Sequence, residues 1–258
     1  MRQVLSNLPA GVEKQVVARV LDCCEIASQR QEVKVTDFLD PWHREFVRPL
    51  IAQHFGIRYQ EDGGYQEAER SRLIIYPDYY RADDIETTVS LLELTLSDAA
   101  RLLSHRDYLG ALTAAGVNRG SIGDIITYAG GGQVFVAAEV EKALLTLDEI
   151  NRFKVSVQEV PPYKVKVTQQ PVKTIQGTVA SLRLDAVLSS GLGTGRGAAA
   201  QLIRSDKVRV NWRQINQPSF TLNTGDVITV RGKGRLELSE TAGETRKGRT
   251  RIVIKKYS

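Results

Sequence analysis

Arginine is the residue type through which this 258-residue chain could do chemistry. Between residues 181 and 238 the cations Arg183, Arg196, Arg204, Lys207, Arg209, Arg213, Arg231, Lys233 and Arg235 recur among short apolar runs. From Thr178 to Leu236 nine Lys/Arg stand against three Asp, a net +6. So dense a positive surface suits a polyanion, while a merely solvated basic face is the plainer alternative. Arg196 is the best-placed single residue. Thr194 to Gly197 sets flexible backbone and a guanidinium at a predicted helix start, where unpaired N–H groups and the helix dipole favour phosphate. Arg183, Arg204, Lys207, Arg209, Arg213 and Lys233 are expected to add phosphate contacts, and Gln201 joins the candidate set. Asn211 either hydrogen-bonds nucleic acid or caps the turn after a strand. Trp212 either stacks on a base, worth roughly 1–3 kcal/mol, or covers a small core.

Other reactive-looking groups carry less. The run 191–197, Gly-Leu-Gly-Thr-Gly-Arg-Gly, fits neither G-x-G-x-x-G nor the P-loop. His105-Arg106-Asp107 has the letters of the kinase catalytic triplet, but Leu112 stands where a metal-binding Asn is needed. His43, His54 and His105 lack metal-ligand spacing, and Asp185, with no partner carboxylate or base, reads as a salt-bridge or helix residue rather than a catalytic acid. The expectation is therefore no catalytic residue, no metal and no cofactor.

The elements that must carry these side chains read as follows. Leu184, Val187 and Leu188, then Ala199, Leu202 and Ile203, repeat at i, i+3, i+4 and predict two short helices. Val208 and Val210 alternate with charged residues as a half-buried strand, a turn follows at residues 223–226, and residues 227–231 close the module. Upstream, residues 11–29 predict a helix with Val16, Val17, Val20, Leu21 and Cys24 on one face. Asp40-Pro41 predicts a second helix start, with Phe46, Leu50 and Phe55 toward the core. Residues 57–59 and 72–76 read as strands. Residues 89–96, 98–115, 122–128, 133–137, 139–150 and 155–160 follow as β-α-β-β-α-β, the order of a ferredoxin-like sheet shared by RNA-recognition motifs. Only Phe135 and Tyr128 could stack bases there. Residues 161–177 read as a linker with an extra strand over 164–168, and residues 239–248 as a flexible polar segment. The basic strand over 249–257 either pairs with the module or hangs as a tail.

The fold class is thus α+β, with an N-terminal region over 1–77, a ferredoxin-like domain over 78–170 and a basic module over 178–258. Charge follows the same division: residues 178–258 carry +9 and residues 1–177 carry −4. Cys23 and Cys24 are adjacent and poorly placed for a disulfide, which together with the lack of a signal or membrane-spanning run predicts a reduced, cytoplasmic protein. A monomer is expected.

Two resemblances add to this reading. Arg183-Leu184-Asp185, Leu188, Arg196, Ala199, Leu202-Ile203, Val208, Val210-Asn211 and Gly225-Asp226 resemble, in order, the S-four domain, an RNA-binding module. That family usually has Ser and Gly where this chain has Gly195 and Asp206, and mostly Gly where it has Trp212. The segments 103–112 and 116–125, with Gly63-Gly64-Tyr65 and Ala68-Glu69-Arg70, resemble the YlmH family over nearly the whole chain, and in length a cyanobacterial branch labelled for photosystem II. The resemblance implies a non-enzymatic protein binding structured ribosomal RNA, with or without tRNA, on the large ribosomal subunit in quality control of translation. Rival readings are an RNA-modifying enzyme with an appended S-four domain, and an adaptor in cell division or photosystem II assembly. In the central segments Arg106, Arg119 and Asp124 either touch a ribosomal partner or fix a helix-to-strand turn.

Overall fold

The computed structural model describes residues 5–6, 8–9, 11–54, 56–166, 172–245 and 248–257. They fall into two compact units, one built on Glu13–Thr168 and the other on Gln169–Ser258.

In the first unit, helix α1 (Lys14–Arg30) buries Val17, Val20, Leu21, Cys24 and Ala27, the spacing of one helical face. Helix α2 (Pro41–Ile51) begins where proline fits the first turn and the Asp40 carboxylate accepts the His43 N–H at 2.9 Å. Its inner face is His43, Arg44, Val47 and Ile51, whereas Phe46 and Leu50 are only half-buried. Polar His43 and Arg44 go inside because both are paired: His43 Nδ1 with Asp40 at 2.8 Å, and Arg44 as donor to Ser71 Oγ and the Glu69 carbonyl, each at 2.9 Å. Phe55 lies outside the described residues. Strands β1 (Lys34–Val35), β2 (Ile57–Asp62) and β3 (Arg72–Pro77) form an antiparallel sheet in the order β1-β3-β2, with central β3 wholly buried.

The same unit holds a five-stranded antiparallel sheet of β4 (Val89–Leu96), β5 (Ile122–Tyr128), β6 (Gly131–Ala137), β7 (Glu149–Ile150) and β8 (Phe153–Val160), ordered β5-β6-β4-β8-β7. Two helices are shorter than their apolar periodicity predicts. Helix α3 (His105–Ala114) starts late because Ser104 and Asp107 close a capping box; Leu102, left before it, is 62% exposed, and Tyr108 and Leu112 form the inner face. Helix α4 (Glu141–Leu144) is a single turn, since Asn151 and Arg152, both at positive φ, make a two-residue hairpin that draws Glu149 and Ile150 into β7. Residues 162–164 form a 3-10 turn rather than the start of a strand, and residues 167–168 lie outside the described residues.

Both faces of this sheet are covered. Leu92, Leu94, Val134 and Val136 pack with Tyr108, Leu112 and Leu144 on one side; Val89, Leu91 and Phe135 pack with Phe38 and Tyr65 on the other. Phe135 is fully buried and stacked on Tyr65 with centroids 4.7 Å apart, so it presents no ring to a base. Tyr128 donates to Glu93 at 2.9 Å and lies 4.4 Å beneath the Lys166 ammonium.

The second unit is a six-stranded antiparallel sheet ordered β11-β10-β12-β13-β14-β9. Its strands are β9 (Val172–Val179), β10 (Val208–Val210), β11 (Arg213–Gln214), β12 (Val227–Val230), β13 (Gly234–Glu244) and β14 (Thr250–Tyr257). Helices α5 (Leu184–Leu192) and α6 (Arg196–Arg204) cover one face, burying Leu184, Val187, Leu188, Ala199 and Ile203 against Val208, Val210, Ile228, Val230, Leu236, Leu238, Ile252 and Ile254. Residues 172–177, expected in a linker, belong to strand β9, and most of the expected flexible segment after Leu238 continues β13 across two bulges. Both gain order from β14, which pairs with β13 on one side and β9 on the other; the basic C-terminal strand is therefore an interior strand and not a tail. Gly177 lets β9 and α5 approach closely: a Cβ there would sit 2.5 Å from Ser190 Oγ and force that hydroxyl to turn away.

Candidate nucleic-acid interface

At the start of α5, Arg183 and Asp185 flank the buried Leu184; at the start of α6 stands Arg196. The Asp185 carboxylate is buried and holds both arginines: it accepts from Arg183 Nε at 3.2 Å and Nη2 at 3.3 Å, and from Arg196 Nη2 at 2.8 Å. Burial alone would raise its pKa, but the bonds and charges of Arg183 and Arg196 outweigh that and hold the carboxyl below its ordinary range. Both guanidiniums stay roughly half-exposed with donors to spare. The reading of Asp185 as a salt-bridge or helix residue thus resolves to the salt bridge, and its two partners are the arginines it aims.

Gln201 and Arg204 are exposed on α6. Lys207 follows the helix, and its carbonyl accepts from the Arg231 N–H at 2.8 Å; Lys233 lies in the adjoining turn between β12 and β13. Arg209 points the other way, because its neighbours Val208 and Val210 face the helices. Arg235 is on that outer face too, two strands along through the pairs Arg209–Thr229 and Thr229–Arg235. The guanidinium of Arg235 lies 5.4 Å from the half-buried Trp212 ring. Asn211 braces the turn with one amide N–H and its carbonyl oxygen, donating to Asp226 at 2.8 Å and accepting the Val227 N–H at 2.9 Å. Arg213 begins β11 as the partner of Val210. The candidate residues therefore divide between a helix side (Arg183, Arg196, Gln201, Arg204), one sheet end (Lys207, Lys233) and the outer sheet face (Arg209, Trp212).

Asp206 and Trp212, where the S-four pattern has Gly, both have left-handed backbone, at φ 56° and 65°. Asp206 follows α6, a position that Asp tolerates; Trp212 is the second residue of a two-residue hairpin between β10 and β11, where a bulky side chain is strained.

In the first unit the central segments hold the fold. Asp124 accepts from the Tyr65 hydroxyl at 2.9 Å and from the backbone N–H groups of Glu69 and Arg70 at 2.7 and 3.1 Å. Arg70 and Arg119 both donate to the Ile122 carbonyl, at 3.0 and 2.6 Å. Asp124 and Arg119 thus secure loop and turn, while Arg106 is exposed on α3. Among the described residues no group of three or more His, Cys, Asp or Glu could hold a metal, and no helix is long and apolar enough to cross a membrane.

Three family models match the chain in succession: the YlmH N-terminal domain over residues 12–80, the "Putative RNA-binding domain in YlmH" over 83–164, and the S4 domain over 182–228. The order of these parts on an α+β, two-unit architecture defines an RNA-binding protein of the YlmH family, and the chain belongs to that family. Among its relatives is the "Ribosome-associated protein quality control protein P2" of Bacillus subtilis (strain 168), 28% identical over 246 residues and 95% of each chain. The small ribosomal subunit protein uS4 of Solibacter usitatus is 48% identical over 50 residues, 19% of this chain and 24% of that protein. The solved "Cell division protein ylmH from Streptococcus pneumoniae" shares the fold with a TM-score of 0.51 at 19% identity, covering 59% of this chain and 94% of that one.

Proposed function

We propose that this chain is a cytoplasmic, monomeric, non-enzymatic protein that binds structured ribosomal RNA, with or without tRNA, on the large ribosomal subunit during quality control of translation. The observation that carries the reading is the pair Arg183–Arg196 locked on buried Asp185, a preorganised double guanidinium at the mouth of a cationic module. Arg204, Lys207, Arg209, Arg213, Lys233, Gln201, Asn211 and Trp212 complete the RNA-binding set. The near-full-length likeness to a ribosome-associated quality-control protein supports the assignment of place. Residues 1–77 and 78–170 position the module and touch further ribosomal surface. The order β5-β6-β4-β8 supports a ferredoxin-like scaffold in the second of these, used for shape rather than stacking.

Binding of this kind releases counterions and weakens steeply with salt. Changing Arg183 and Arg196 together to Ala should lower affinity for purified ribosomal RNA at least tenfold at moderate salt and abolish co-sedimentation with large subunits. Unchanged binding by a folded double variant overturns the site. In-cell crosslinking with sequencing of the bound RNA names the target. A protein that ignored RNA but captured division or photosystem II components would favour the adaptor reading, and a nucleotide modification lost on deletion would favour the enzyme.

A further inference from the structure

On the helix side of the second unit, a cleft of about 310 Å³ lies between α5 and the paired ends of β9 and β14. Arg196 enters it from the start of α6 and Arg249 from the residue before β14; Thr178 and Ser190 supply hydroxyls, the Ser189 hydroxyl donates to the Thr194 carbonyl, and among the described residues no carboxylate lines it. Arg249 is held in place at both ends. Its Nε donates to Thr178 Oγ1 at 3.2 Å and its Nη2 to the Thr178 carbonyl at 2.6 Å, while its backbone N–H bonds Thr245 Oγ1 at 3.1 Å and its carbonyl accepts the Thr245 N–H at 2.8 Å. Arg249 commits Nε and Nη2 to Thr178 and Arg196 commits Nη2 to Asp185, which leaves Nη1 of Arg249 and Nε and Nη1 of Arg196 to face a ligand. Two arginines and the Thr178 and Ser190 hydroxyls, with Asp185 orienting Arg196 from outside the cleft lining, make a receptor for a tetrahedral oxyanion.

We infer that this cleft binds a phosphate of the RNA backbone, with Arg249 as a further RNA-contacting residue facing Arg196. The inference rests on the RNA-binding reading above and deepens it. Thr178 and Arg249 both lie outside the S4-matched residues 182–228, so the second wall of the cleft is an addition made by β9 and β14.

The test uses the full chain, with total ribosomal RNA as probe and chloride titrations, on Arg249→Ala, Arg249→Gln and Arg249→Lys. Folding is checked by thermal unfolding, and Arg249→Gln, which keeps a donor for Thr178, stands in if Arg249→Ala unfolds. The neutral variants should bind about three- to tenfold more weakly at moderate salt, with the slope of log affinity against log salt reduced by roughly one. Arg249→Lys should restore the slope but not the full affinity. Calorimetry with inorganic phosphate at matched ionic strength separates the sources of the anion: phosphate binding lost in Arg249→Gln, with RNA affinity unchanged, would overturn the RNA assignment. Unchanged affinity and slope in both neutral variants would overturn the inference while leaving the RNA-binding function intact; a wild-type chain that binds no RNA would sink the function itself.

Discussion

The two large sheets of this protein share antiparallel pairing but not exposure. The five-stranded sheet is buried on both faces, whereas the six-stranded sheet packs helices on one face and turns Arg209, Trp212 and Arg235 outward on the other. A βαββαβ chain order invites an RNA platform, yet Phe38 and Tyr65 occupy the side from which a base would have to approach Phe135. Chain order sets which strands are neighbours; what covers the sheet sets whether it can bind.

The strongest way to break this contrast is Phe135→Ala. Loss of a fully buried ring stacked on Tyr65 should cost about 3–5 kcal/mol of stability, read by denaturant unfolding. The folded fraction should keep the wild-type salt slope for RNA, and a changed slope would give the covered sheet a binding role it is denied here.

Next in size is Asp185→Ala, which frees both arginines and should cost about 1–2 kcal/mol together with severalfold weaker RNA binding. The pH dependence has a definite sign. The native Asp185 carboxyl titrates below the roughly 3.9 of an unfolded chain, so its stabilisation is complete above that pH and is lost as pH falls through the depressed native value. Asp185→Asn should show the shallower loss of stability in an acid titration.

A smaller and more discriminating change is Trp212→Gly. Relief of the left-handed strain should raise stability by up to about 1 kcal/mol, while loss of the ring weakens RNA binding. A variant that is more stable and binds equally well would assign Trp212 to packing alone. Smallest of all, Arg204→Ala on the exposed side of α6 should leave stability within about 0.5 kcal/mol and reduce affinity only modestly.

Much of the second unit was legible because its signals are local. The i, i+3, i+4 repeats of α5 and α6 and the Val208/Val210 alternation each fit within a few residues. Strand β9 was not, because Val-Lys-Thr-Ile-Gln-Gly-Thr-Val buries little and takes its order from a partner far along the chain. Helix α3 was drawn too long since apolar spacing continues through Leu102, and only the Ser104–Asp107 box shows where the turn resets. In the candidate site the arginines were visible by type and Asp185 as a salt-bridge or helix residue, but its partners were not, because hydrogen bonding between the starts of two helices leaves no periodic trace. Asp206 and Trp212 stood out as departures from Gly, and their shared backbone handedness became apparent only in three dimensions.

The pairing of β9 with β14 also bears on how the protein matures. It joins Val179 to Thr250 at one end and Val172 to Tyr257 at the other, while the helices and short hairpins between are local. During synthesis β9 emerges long before its partner and waits as a bare edge, a state open to mispairing. The wall carrying Arg249 is completed last, so a nascent chain still short of residue 250 has the start of α6 but not the finished cleft.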